Sequence, residues 1–109
     1  MNHPVMNTVP LNIPQSIRDA LTRYIENGTR PGMCLTYILE NRLVDAFITA
    51  DPQTCKAMKE IAHFIYHLAP AKCWGGHDAV EAWIKSGGWY GLYAPKALED
   101  QANLAPKDS

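Results

Sequence analysis

Over residues 13–88, prolines and glycines stand between the apolar runs of this chain and not inside them. Proline opens a helix or stops one, and glycine ends one in a left-handed turn. These residues therefore cut the sequence into short segments that must pack side by side. From Pro14 to Gly28, Ile17, Ala20, Leu21, Tyr24 and Ile25 recur at i, i+3, i+4, i+7 and i+8, which predicts a first amphipathic helix. Pro31 opens a second, short helix with Leu35, Ile38 and Leu39 on one face and Asn41 as its left-handed stop. A third segment, 43–50, places Leu43, Ala46, Phe47 and Ala50 at helical spacing. Asp51 and Pro52 then supply the cap and first turn of the longest helix, 52–69. Its buried stripe is expected to be Met58, Ile61, Ala62, Ile65, Leu68 and Ala69, before Pro70 stops it. A fifth helix runs from about His77 to Lys85, buries Val80, Trp83 and Ile84, and closes at Gly87-Gly88.

No segment alternates apolar and polar residues over a β-branched run between hairpin turns. The fold class is therefore all-α: a compact bundle of about five short-to-medium helices over residues 13–88. It is flanked by a flexible N-terminal arm, 1–12, carrying Pro4 and Pro10, and by an aromatic, partly ordered tail, 89–109. A chain of 109 residues has room for one core. Apolar residues at 47% and charged residues at 19% let that core form without a metal.

Ten Lys+Arg against eleven Asp+Glu leave a net charge of -1, with the basic residues scattered singly. Such a chain cannot hold a phosphate backbone by counterion release, which argues against general nucleic-acid binding. The odd number of cysteines, Cys34, Cys55 and Cys73, and an N-terminus without a basic start or apolar stretch point to a reduced, cytoplasmic protein. No apolar run approaches the roughly 18 residues of a membrane span.

The chemistry-bearing residues concentrate in "CWGGHD", Cys73 to Asp78. His63, His67, Cys73 and His77 make an H-x3-H-x5-C-x3-H pattern suggestive of zinc. On a helical wheel, however, His63 and His67 fall opposite Met58, Ile61 and Ile65, on a face shared with Lys56 and Glu60, as ordinary solvated residues do. Cys73 with His77 is the one local thiol-base arrangement, and neither a paired-carboxylate nor a phosphate-loop motif accompanies it. The expectation is a protein with no catalytic residue, metal or cofactor.

What "CWGGHD" does offer is a helix start with bared backbone. Gly75 and Gly76 expose N–H groups that attract anions, Trp74 presents a stacking face, and His77 adds charge. The alternative is a plain turn in which Trp74 packs on the core. "GTRPG" repeats the logic with Thr29 as a cap and Arg30 as a fork for phosphate or carboxylate. Thr29, Arg30, Trp74, Gly75, Gly76 and His77 are thus the candidate ligand-binding residues, brought closer still in a homo-oligomer. Trp89, Tyr90, Leu92 and Tyr93 form a separate candidate patch for a protein partner.

Two stretches, "IPQSIRDALTRYIENGTRPGMCLTYILENRLVDAFITAD" and "IAHFIYHLAPAKCWGGHDAVEAWIKSGG", carry a resemblance over about residues 13 to 88. In its Tyr helix ending at Asn-Gly, its Pro-Gly, Asn-x-Leu and Ala-Asp steps and its Cys-Trp-Gly, the chain resembles a family of small proteins encoded by tailed phages and prophages. It departs from that pattern at Arg42, where Asp is commoner, and at Gly76-His77, where Ser-Pro is commoner. The resemblance implies a phage accessory protein in the host bacterial cytoplasm and carries over no functional residue. By analogy with other such proteins, two functions follow. One is counter-defence by sequestering a small anionic, nucleotide-derived immune signal. The other is inhibition or regulation of a host defence protein through the aromatic patch.

Overall fold

The computed structural model describes residues 12–93. They form α1 (Gln15–Asn27), α2 (Met33–Leu39), α3 (Leu43–Thr49), α4 (Pro52–Leu68), a 3-10 turn (Ala71–Cys73) and α5 (His77–Ser86). Helical backbone resumes at 88–93, and no strand occurs among the described residues. The fold is the small all-α bundle that the periodicity predicts. Expectations for residues 1–11 and 94–109 lie outside the described residues.

Local chemistry sets the boundaries. Pro14 sits just ahead of α1, and its carbonyl accepts from the Ile17 and Arg18 amides at 3.0 and 2.9 Å. Pro31 stands two residues ahead of α2, whose N-cap is Gly32, so the capping role expected of Thr29 is not used. Asn41 takes the left-handed conformation, φ 66°, that stops α2. Asp51 accepts the Thr54 amide at 2.7 Å at the start of α4, with Pro52 in the first turn.

The core gathers Ile13, Leu21, Ile25, Leu39, Ile61 and Phe64 around Tyr24 and Trp83. Along α4 the buried residues are Thr54, Ala57, Met58, Ile61, Phe64 and Ile65. The predicted stripe was thus displaced: Phe64, with more apolar surface than an alanine, turns inward, while Ala62 and Ala69 fall to its edge and Leu68 is exposed. Leu68 lies in the last turn, where Pro70 leads the chain away.

Two buried hydrogen bonds fasten the 3-10 turn and α5 to α1. The Tyr24 hydroxyl donates to the Cys73 carbonyl at 2.6 Å, and the Trp83 indole N–H donates to the Tyr24 carbonyl at 2.9 Å. The far ends of the same helices meet backbone to backbone. A Cβ on Gly28 would lie 2.8 Å from the Gly88 nitrogen and 3.0 Å from the Trp83 carbonyl oxygen. A Cβ on Gly88 would collide with the Asn27 and Gly28 backbone, and Gly88 also has φ +74°. Only glycine fits both demands.

Gly88→Ala should therefore lose about 1–2 kcal/mol to the left-handed backbone and a further ~1–3 kcal/mol to overpacking. Gly76→Ala is the control, since nothing lies within 4 Å of its Cβ position and its φ of 173° is extended. Urea melts should show a large drop for the first variant and wild-type stability for the second; equal midpoints would contradict the close-contact account.

Candidate functional site

The start of α5 collects most of the polar residues singled out from sequence. Gly75 has φ +117°, a conformation that lets its amide reach back to the Leu39 carbonyl at 2.8 Å, and so pins "CWGGHD" to the end of α2. His77 is then the first residue of α5. Its Nδ1 meets Glu40 Oε2 at 2.9 Å, and Arg42 Nη1 lies 3.5 Å from the other Glu40 oxygen. One turn along α5, Glu81 accepts from Arg30 Nη2 through both oxygens, at 2.9 and 2.8 Å.

Arg30 and His77 are thus brought to one helix face, 47 positions apart in sequence by their numbers, but each faces a carboxylate of the chain itself. Thr29 is exposed beside them, its amide 3.4 Å from the Arg23 carbonyl. Gly75 and Gly76 are open, with nothing within 4 Å of either Cβ position. Trp74 is half-buried and packs edge-on against Tyr66 of α4, with ring centroids 5.9 Å apart. Of the backbone donors expected to face an anion, the Gly75 amide is already spent on the Leu39 carbonyl, and Arg30 and His77 are already paired with carboxylates.

Other sequence candidates separate. His63 and His67 are exposed on α4 with ring centroids 5.0 Å apart, and Cys73 is fully buried. Burial pushes the Cys73 thiol up to about 12, away from the thiolate form that a nucleophile uses. The H-x3-H-x5-C-x3-H residues do not form one cluster. Among the described residues, the metal-ligand atoms that do lie within 4.8 Å of one another belong to Glu40, His77 and Glu81.

Of the aromatic tail, Trp89 packs against the core and meets Tyr93 at a tilted ring contact, centroids 4.4 Å apart, while Tyr90, Leu92 and Tyr93 are exposed. A larger apolar surface lies elsewhere. On α3 only Ala46 is buried, so Leu43 and Phe47 do not form the inward face that their spacing predicts. At about 100° per residue, the apolar positions of α3 cover roughly 200° of its circumference. Exposure rises steadily across that arc: Leu43 and Phe47 are each 47% exposed, Val44 73% and Ile48 76%. Leu43 also borders an apolar groove of about 170 Å³, with Ile38, Ile65, Tyr66 and Trp74 along its walls. A seven-residue helix carrying four large apolar side chains over such an arc is the sequence signal for this surface.

No family model, curated protein or solved structure matches the chain. Function rests on the geometry.

The Glu40 hydrogen bond and charge raise the His77 imidazole above its ordinary value of about 6.5, against a smaller opposing effect of desolvation. Because the folded value is the higher, this pair's stabilisation is fully present below about pH 6.5 and is lost as pH rises through the folded value. Thermal midpoints measured from pH 5.5 to 8.5 should fall more for wild type than for His77→Gln. Parallel profiles would show that the pair contributes nothing.

Proposed function

We propose that the chain is a phage-encoded accessory protein that works by binding, in the bacterial cytoplasm, and that it covers a protein partner with the outer arc of α3. The observation that carries this reading is the exposure of Val44 and Ile48 at 73% and 76%, on a helix that buries only Ala46. A contiguous apolar surface at the rim of a groove is what a protein interface needs, and an isolated domain does not retain one for stability. The phage character rests on the resemblance across residues 13–88; a host defence protein is the partner class that analogy suggests. None of the described helices is long and apolar enough to cross a membrane.

Sequestration of an anionic nucleotide at Thr29, Arg30, Trp74, Gly75, Gly76 and His77 is the second reading. The convergence of Arg30 and His77 on α5 favours it, and their pairing with Glu81 and Glu40 disfavours it. An anion would have to displace a carboxylate already in place, at a cost that an apolar partner on α3 does not meet.

The two surfaces separate by site-specific photo-crosslinking. With a photoreactive residue at position 48, one defined host protein should be captured in phage-infected cells, and Val44→Asp in the same chain should abolish the adduct while leaving the helical signal intact. Capture from positions 90 or 93 alone would move the interface to the C-terminal aromatic patch. Saturable binding of a cyclic or ADP-ribose nucleotide that is lost in Arg30→Ala would instead favour the second reading.

A further inference from the structure

The Glu40, His77 and Glu81 side chains form a cluster that binding through α3 does not use. Glu40 is the unusual member: its carboxylate is 4% exposed yet held at the bundle surface by His77, which is 67% exposed. A nearly buried carboxylate is costly unless positive charge faces it, and on Glu40 that charge comes from His77 and Arg42. Arg42 approaches Glu40 only at 3.5 Å, and Arg30 is engaged with Glu81.

We propose that Glu40, His77 and Glu81 bind a divalent first-row transition metal ion of the zinc class. The three contribute one imidazole nitrogen and two carboxylate oxygens, all within 4.8 Å of one another. Tetrahedral ligands at ~2.0–2.2 Å from zinc lie roughly 3.3–3.6 Å apart. The 2.9 Å between His77 Nδ1 and Glu40 Oε2 is already near that spacing, so side-chain shifts of about 1 Å complete the set. Imidazole disfavours magnesium and calcium, and the absence of a sulfur ligand in the cluster disfavours copper(I). The exposed side of His77 leaves a fourth position to solvent.

The backbone supports the arrangement. Glu40 follows α2 and His77 begins α5, and the Gly75–Leu39 hydrogen bond of 2.8 Å fixes the two ends against each other. His77 and Glu81, four residues apart on α5, project from one face. Arg42 can remain on the second Glu40 oxygen and orient it. Arg30 is the competitor, because it occupies both Glu81 oxygens and must release at least one.

The test is calorimetric titration of zinc into the full chain, carried out on a Cys55→Ser background because that thiol is exposed and thiols compete for zinc. One ion per chain should bind, with affinity reduced about tenfold or more by His77→Ala and by Glu40→Gln. Arg30→Ala should tighten binding several-fold, an effect that a merely structural role for the cluster would not produce. His63→Ala should change nothing. If Glu40→Gln does not fold, the exposed His77 carries the comparison. Absence of saturable binding by folded protein at millimolar zinc would overturn the proposal, as would binding that persists in His77→Ala and disappears in His63→Ala.

Discussion

Tyr24 is the residue on which this fold turns. It is completely buried, and both ends of it are fixed: the hydroxyl donates to the carbonyl of Cys73, and its backbone carbonyl accepts from the indole of Trp83. Positions 24, 73 and 83 are thereby held together across most of the domain. Each such bond contributes only about 0.5–1.5 kcal/mol net, but leaving a partner buried and unpaired costs ~1–3 kcal/mol. The geometry is therefore enforced more strongly than the strength of the bonds suggests. Burial also raises the tyrosine far above its ordinary range, so the hydroxyl stays a donor at any ordinary pH.

That anchor determines what the surface can do. With Cys73 tied to α1, the segment up to Gly75 must run past the end of α2, where the Leu39 carbonyl receives the Gly75 amide. α5 then starts with His77 on Glu40 and passes Glu81 beneath Arg30. The close approach of Gly28 and Gly88 completes the pairing of α1 with α5. α3 stands apart from this framework. It packs chiefly against α2, through Ala46 and the Cys34 thiol, which donates to the Ala46 carbonyl at 3.2 Å. Its large apolar residues, Leu43, Val44, Phe47 and Ile48, are exposed.

Much of the architecture was legible in the sequence because its punctuation acts locally. Asp51-Pro52, Asn41 and Gly87 each end or begin a helix through their own backbone preferences, and no distant residue has to be known. The inward faces were less legible because they depend on neighbours. Phe64 and Leu68 lie on the same side of α4, and only the place where the chain turns away decides which is covered. Leu43 and Phe47 satisfied a helical period, but period alone does not reveal whether a partner helix is present to cover them. At the candidate site, Arg30, Gly75, Gly76 and His77 were visible as types, whereas Glu40 and Glu81 were not singled out. Glu40 had left a signal: it is a lone carboxylate four residues after Thr36, at the end of an otherwise apolar helix, on the side that faces inward.

The molecule divides into a framework locked at Tyr24 and an α3 whose apolar face, apart from Ala46, is exposed. Amide hydrogen exchange on the free protein reads both halves at once, since protection reports how readily each segment opens. The amides of α1 around Tyr24 and of α5 around Trp83 should exchange most slowly, at the rate of global unfolding, while those of α3 exchange much faster. Protection of α3 equal to that of α1 in the free, monomeric protein would contradict the account.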